Sequence, residues 1–310
     1  MQNAAKIFKE VKKAVIGKDE IIHKILMVML ANGHVLLEDI PGVGKTNLAL
    51  AFSKALGLDT KRIQFTPDVM PSDVIGYSFY NQQTGALEYK EGAAMCNLLL
   101  ADEINRTSSK TQSALLEVME EGRMSVDGIT HSTPQPFMVI ATQNPFGSAG
   151  TQLLPQSQMD RFMACLSIGY PSKDAEIEIL KRKERHNPLD DIETVSSPSE
   201  ILMMQKEISS IYLDESIYHY IVDLINATRS HPLILQGGSP RSTLALMQVA
   251  KAVAYTHERD YVIPEDVEAM FLDILSHRIV LNNEARLDKS DPKKILTKIL
   301  KETPRPRIIR

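Results

Sequence analysis

The hydrophobic pattern of the chain changes character near Tyr170. Before that point, short apolar runs alternate with amphipathic stretches of helical period. Runs at His34–Leu37, Arg62–Phe65, Asn97–Ala101, Phe137–Thr142 and Met163–Ile168 predict strands. Lys45–Leu56, Ser109–Glu121 and a shorter stretch near Gln156–Arg161 predict helices between them, and two helical patterns, Ala4–Ala14 and Asp19–Ala31, precede the first strand. Repeated strand–helix units predict an α/β fold, a parallel five-stranded sheet between helices. Such a sheet takes its ligand at the carboxyl ends of its strands.

Two stretches interrupt the alternation. In residues 77–92 the turn-forming Asn81-Gln82-Gln83-Thr84-Gly85 lies between aromatic-bearing segments and predicts a small hairpin. In residues 121–136 Asp127-Gly128 separates Met124-Ser125-Val126 from Ile129-Thr130-His131, a two-residue hairpin signal. Past Tyr170 strand signals fade and helical patterns take over, at Lys173–Arg185, Ser199–Ser209, Asp214–Ser230, Arg241–Thr256 and Pro264–Ile279. Ser239-Pro240 and Ile263-Pro264 are sound helix starts, because proline's missing N–H costs nothing in a first turn. The expected organisation is an α/β domain over 1–185, a Pro- and Ser-bearing linker over 186–198, and a small all-helical domain over 199–310 that ends in a basic tail.

Composition narrows the class. At 310 residues and 43% hydrophobic, the chain can bury a large core, and a net charge of −4 gives no general attraction to nucleic acid or anionic membrane. Cys96 and Cys165 fall in or beside strands and read as core residues; the eight histidines show no ligand spacing, and the fourteen methionines read as core filler. The first ten residues lack the apolar run of a signal peptide, and no stretch is long and apolar enough to span a membrane, so a cytoplasmic location is expected.

The candidate chemistry lies at two strand ends. Between the first strand and the helix opening at Lys45 stands Pro41-Gly42-Val43-Gly44-Lys45-Thr46. A glycine turn leading into a helix N-terminus can cradle phosphates with backbone N–H groups and the positive helix end. This makes Pro41, Gly42, Val43, Gly44, Lys45, Thr46 and Asn47 candidates for binding ATP, with Lys45 as a point charge and the Thr46 hydroxyl as a ligand for Mg²⁺. Downstream, Leu98-Leu99-Leu100-Ala101-Asp102-Glu103 is a buried strand ending in two carboxylates. Asp102 suits the hydrated Mg²⁺ and Glu103 suits polarising an attacking water. One position departs from G-x-x-x-x-G-K-[ST]: Asp39 stands where the first glycine is usual. Aspartate tolerates a positive φ, but a carboxylate turned toward a triphosphate would repel it.

An α/β nucleotide domain followed by a helical domain resembles an AAA+ P-loop ATPase with its lid. Val15-Ile16-Gly17-Lys18-Asp19 resembles the segment that packs on adenine, which implies Ile16 and Gly17 as cofactor contacts. In Thr142-Gln143-Asn144-Pro145, Asn144 matches the polar residue that senses the γ-phosphate beside the phosphate-loop strand. Gly238-Ser239-Pro240-Arg241 resembles the second sensor, with Arg241 reaching the γ-phosphate, and Asp160-Arg161-Phe162 resembles the arginine-finger segment, with Arg161 reaching a neighbour's ATP. Without the resemblance, an arginine at a helix start is ordinarily a solvated charge. Arg106 is open between crossing to a neighbour and pairing with Glu120 or Glu121.

Within AAA+ the chain is most similar to the MoxR family. The strings that carry this are Gln64-Phe65-Thr66-Pro67-Asp68, Pro71-Ser72-Asp73-Val74-Ile75-Gly76, Asp102-Glu103-Ile104-Asn105-Arg106, and Leu154-Pro155-Gln156-Ser157-Gln158-Met159-Asp160-Arg161-Phe162. Departures are Asp39, Gln156-Ser157 for a more usual Glu-Ala, and Gly92-Ala93 where Gly-Pro is common. The resemblance implies a Mg²⁺-dependent ATPase in a ring, a hexamer in that family. It also implies chaperone-like remodelling of a protein client, or insertion of a cofactor or metal, alongside a partner bearing a von Willebrand factor A domain. Two alternatives stand beside it. A nucleic-acid-dependent motor is disfavoured by neutral or acidic hairpin tips, and a nucleotide-gated scaffold with weak hydrolysis is supported only by Asp39.

Overall fold

The computed structural model describes residues 2–39, 42–144 and 154–306. Two helices, α1 (Gln2–Ala14) and α2 (Asp19–Leu30), lead into β1 (Val35–Glu38) and then α3 (Lys45–Leu56), β2 (Thr60–Gln64) and the short α4 (Pro71–Ile75). The first hairpin is β3 (Tyr77–Asn81) with β4 (Ala86–Lys90), followed by β5 (Leu98–Asp102) and α5 (Ser109–Glu121). The second is β6 (Arg123–Val126) with β7 (Ile129–Ser132), turning through Asp127 and Gly128, both at positive φ. Next come β8 (Met138–Gln143), α6 (Gln156–Met159) and β9 (Ala164–Leu166). The five long-range strands pair in the order β2-β5-β8-β1-β9, every pair parallel.

Alternation along the central strands decides which face each residue covers. Leu98, Leu100, Val35, Leu37 and Ile140 point to the face carrying α1, α2 and α3, while Leu99, Ala101, Leu36, Val139 and Ala141 point to the face carrying α4 and α5. Helix ends are set locally: α5 starts on Ser108, whose hydroxyl accepts from Thr111 N at 3.3 Å, and stops at Gly122 with φ +62°.

After β9 come α7 (Lys173–Arg185), α8 (Pro198–Ser209), α9 (Glu215–Ser230), β10 (Ile234–Gln236), α10 (Pro240–Thr256), α11 (Pro264–Leu275), β11 (Val280–Leu281), α12 (Asn283–Leu287) and α13 (Pro292–Glu302). This half carries one short antiparallel pair, β10 with β11, that the helical pattern did not signal. Helix α13, opened by Asp291-Pro292 and burying Ile295, Leu296 and Ile299, was likewise unread. The core of the helical half runs without a break into the α1–α3 face of the sheet. The connecting segment is packed too: Val195 N donates to Ala55 O at 2.9 Å, and Ile192 and Ser196 are buried. Lys24 on α2 pairs with Asp273 on α11 at 2.8 Å, an ion pair across the two halves.

His34 ties the start of the sheet to the end of α5. Its Nδ1 accepts from Val139 N at 3.0 Å and its Nε2 donates to Met119 O at 2.9 Å, a pattern available to the neutral ring alone. Burial pushes its pKa down to about 4. With the folded value below the unfolded one, the extra proton binds the unfolded chain. This group's share of stability is therefore complete above about pH 6.5 and falls by about 1.4 kcal/mol per unit as pH drops toward 4. Urea unfolding at several pH values should show a shallower acid dependence for His34→Gln than for wild type; parallel slopes would refute the assignment.

Candidate nucleotide site

The loop between β1 and α3 is shaped by two glycines in the left-handed region, Gly42 at φ +88° and Gly44 at φ +93°. A Cβ at either would meet nothing within 4 Å, so what demands glycine here is backbone conformation rather than space. Gly44 directly precedes α3 and no side chain caps that helix, which leaves its first N–H groups facing a cavity of about 320 Å³. Lys45, Thr46 and Asn47 line it from α3; Asp102, Glu103 and Thr142 line it from the ends of β5 and β8. Lys45 Nζ donates to Asp39 O at 2.9 Å. Burial lowers the Lys45 pKa, and the carboxylates of Asp39, Asp102 and Glu103 oppose that shift.

The two carboxylates at the end of β5 are each held by a different arginine. Arg62 Nε, on β2, meets Asp102 Oδ2 at 2.7 Å, and Arg106 Nη1 meets Glu103 Oε2 at 2.7 Å. Arg106 therefore takes a partner outside the set left open by the sequence, which was a neighbour, Glu120 or Glu121. The Thr142 hydroxyl joins the carboxylate pair, donating to Asp102 Oδ1 at 3.3 Å and accepting from Glu103 N at 2.9 Å. Glu103 itself sits at φ +57°, a conformation costly for a side chain with a Cβ, where β5 breaks into a single helical turn.

Thr142, Arg62 and Gln64 line the cavity and were not singled out in the sequence. Thr142 lay within the string read for Asn144 and Gln64 opened one of the strings that carry the family resemblance, without a role at the site; Arg62 carried no signal beyond being polar on a strand. Asn144 directly follows β8, and its carbonyl accepts from Asn105 Nδ2 at 3.2 Å. Gly17, at φ +70°, lines a separate cavity of about 340 Å³ with Lys18, Lys24 and Ser167, and Ile16 precedes it at the turn between α1 and α2. Val43 packs partly buried against the core. Pro41 lies outside the described residues, as do Pro145 and the last four residues of the basic tail.

The two distal arginines stand apart from Lys45. Arg161 Nε lies 3.3 Å from Glu120 Oε2, and Arg241 pairs with the other oxygen of the same carboxylate. Both line a cavity with Asp160, Ser239 and Arg278 rather than the one around Lys45 and Thr46. Within its own subunit Arg241 thus stands beside Asp160 and Arg161, at the opening turn of α10, and does not line the cavity around Lys45.

Asp39 also differs from expectation. Its carboxylate accepts hydrogen bonds from Ile168 N, from Gly169 N at 3.2 Å and from the Ser167 hydroxyl at 3.2 Å, which aims it at the loop after β9. It is not among the residues at positive φ. From the other side Lys18 Nζ donates to the carbonyls of Ile168 at 2.6 Å, Gly169 at 3.0 Å and Tyr170 at 2.8 Å. The aspartate is thus a brace between the phosphate loop and β9. Asp39→Gly should lower stability by roughly 2–4 kcal/mol, because three donors lose a charged acceptor. It should leave ATP affinity unimproved; urea unfolding and nucleotide titration check both, and tighter binding would restore the repulsion argument.

Comparison with known proteins agrees with this geometry. The family model described as "ATPase family associated with various cellular activities (AAA)" matches residues 34–164, and the AAA lid domain model matches residues 226–299. The chain is 46% identical to the uncharacterized protein YeaC of Bacillus subtilis, over 95% of this chain and 92% of that one. It is 37% identical to Chaperone MoxR1 of Mycobacterium tuberculosis, over 96% of this chain and 81% of that one. A crystal structure of a proposed ATPase from Cytophaga hutchinsonii superposes with a TM-score of 0.92 at 38% identity, covering 99% of this chain and 96% of that one. The chain belongs to the MoxR family of AAA+ ATPases.

Proposed function

We propose that the cavity around Lys45 binds and hydrolyses Mg²⁺-ATP, and that each site is completed by a neighbouring copy that donates both Arg161 and Arg241. The observation that carries this reading is the charge separation. Lys45 is the lysine in the cavity, whereas Arg161, read as the finger, and Arg241, read as the second sensor, stand together on Glu120 and line a different cavity. Hydrolysis needs positive charge where negative charge spreads in the transition state, and little else from the protein. A second subunit presenting its arginine pair supplies that charge.

The residues present fit Mg²⁺. The Thr46 hydroxyl and the Asp102 carboxylate line one cavity and offer hard oxygen ligands, and Mg²⁺ typically binds through one or two carboxylates with phosphates and water. When bound, Mg²⁺ neutralises phosphate charge. Glu103, with Oε2 held by Arg106, keeps Oε1 to accept from a water; Lys45 and the α3 N-terminus hold the phosphates.

The wider role follows the family: a cytoplasmic ring, a hexamer by that analogy, remodelling a protein client or aiding metal or cofactor insertion, with a von Willebrand factor A domain protein as partner. The exposed Tyr80 and Leu87 of the first hairpin offer apolar contacts for a polypeptide. No helix among the described residues is long and apolar enough to cross a membrane.

Lys45→Ala should abolish ATP binding, measured by titration with a fluorescent nucleotide. Glu103→Gln should keep binding and lose turnover by about a hundredfold or more. Mixing inactive Arg161→Ala with inactive Glu103→Gln protein should restore part of the hydrolysis, since the second protein donates intact arginines to the first. Absence of recovery in mixed assemblies would sink the shared site.

A further inference from the structure

We infer that Glu120 is a positioning residue for that shared site: it gathers Arg161 and Arg241 into one unit and presents them together to the neighbouring subunit's nucleotide. The inference rests on the shared-site reading above and assigns it a part of its machinery.

Arg161 and Arg241 come from different places, the first from the turn after α6 and the second from the opening turn of α10. Two guanidinium groups brought side by side repel, so their convergence needs an anion between them. Two carboxylates lie in this region. Asp160 is already engaged: it pairs with the buried Arg278 at 2.9 Å and accepts from the Ser239 hydroxyl at 3.0 Å. Glu120 is the one that meets both arginines, one with each oxygen.

Its own position is firmly referenced to the sheet. Glu120 is the next-to-last residue of α5, and the carbonyl of the preceding Met119 accepts from His34, whose ring also accepts from Val139 N on β8. The finger segment is fixed to the helical half instead. Arg278 donates to the carbonyls of Phe162 at 2.9 Å and Asp160 at 3.0 Å, and His277 Nε2 donates to Phe162 O at 3.0 Å. Glu120 thus brings the finger segment and the lid arginine to a point defined by the central sheet.

The donors it uses suit this role. It engages Nε of Arg161 and one Nη of Arg241, and a guanidinium has five N–H groups, so donors remain on each for a phosphate. Both side chains are partly exposed, 31% for Arg161 and 48% for Arg241, as groups that must meet a partner have to be. Glu120 does not line the cavity around Lys45, so its loss should leave the subunit's own nucleotide contacts in place.

The test compares Glu120→Ala and the isosteric Glu120→Gln with wild type in steady-state ATPase assays, then in mixtures. Glu120→Ala should lower kcat by about tenfold or more with KM for ATP within about twofold, and Glu120→Gln should fall between, since it keeps an acceptor and loses the charge. Mixed with Glu103→Gln protein, Glu120→Ala should recover turnover above the sum of the two assayed alone. The mixture of Arg161→Ala with Glu103→Gln runs in parallel. If that control recovers while Glu120→Ala alone keeps wild-type kcat, or stays low without recovery, the shared site stands and the role of Glu120 is overturned. If the control itself fails to recover, the shared-site reading falls and takes this inference with it.

Discussion

The parallel pairing of β8 between β1 and β5 is the constraint on which the site depends. Its register sets Leu37 beside Thr142 and Ala101 beside Ala141, so three strands end at one edge of the sheet. Parallel strands buried on both faces satisfy every backbone polar group only in register, and a slip by one residue would turn Leu36 and Leu37 to the wrong faces. Because the register holds, the phosphate loop leaves β1 beside the carboxylates that leave β5, and the Thr142 hydroxyl of β8 joins them by hydrogen bonds to Asp102 and Glu103.

Charge is distributed around this edge in separate compartments. Asp102 and Glu103 each carry an arginine of their own subunit, Arg62 and Arg106, while Glu120 and Asp160 hold three more on the far side. Arg278 is the most deeply placed of these, with burial pulling its pKa down to about 10 and the Asp160 carboxylate opposing that shift. A buried guanidinium that donates to four carbonyls and faces a carboxylate is costly to disrupt, since removing one partner strands the other. It ties the turn after α6 to the helical half.

Much of the fold was legible because period and punctuation agree. Lys45–Leu56, Ser109–Glu121 and Lys173–Arg185 are helices over the same bounds that their apolar spacing predicted. Asp127-Gly128 turns a hairpin where that pair was expected to. What escaped were elements too short or too dependent on context to leave a pattern: the five-residue α4, the β10–β11 pair and α12. Helix α13 had a clear start at Asp291-Pro292, overlooked beside the polar, charged run around it.

The sequence by itself determined the chemistry at the phosphate loop and the β5 carboxylates, because both are local: a glycine turn opening a helix, and a strand ending in two acids, need only neighbours in the chain. Tertiary structure alone decided where the remaining charges go. Asp39, read as a threat to phosphate, turns its carboxylate to Ile168 and Gly169, more than a hundred residues away in the chain. Arg161, read as an arginine finger, and Arg241, read as the second sensor, meet on Glu120. A side chain's charge acts on whatever lies within a few ångströms, and for these residues that is set by how α5, α6 and α10 pack, a relation that no spacing along the chain encodes.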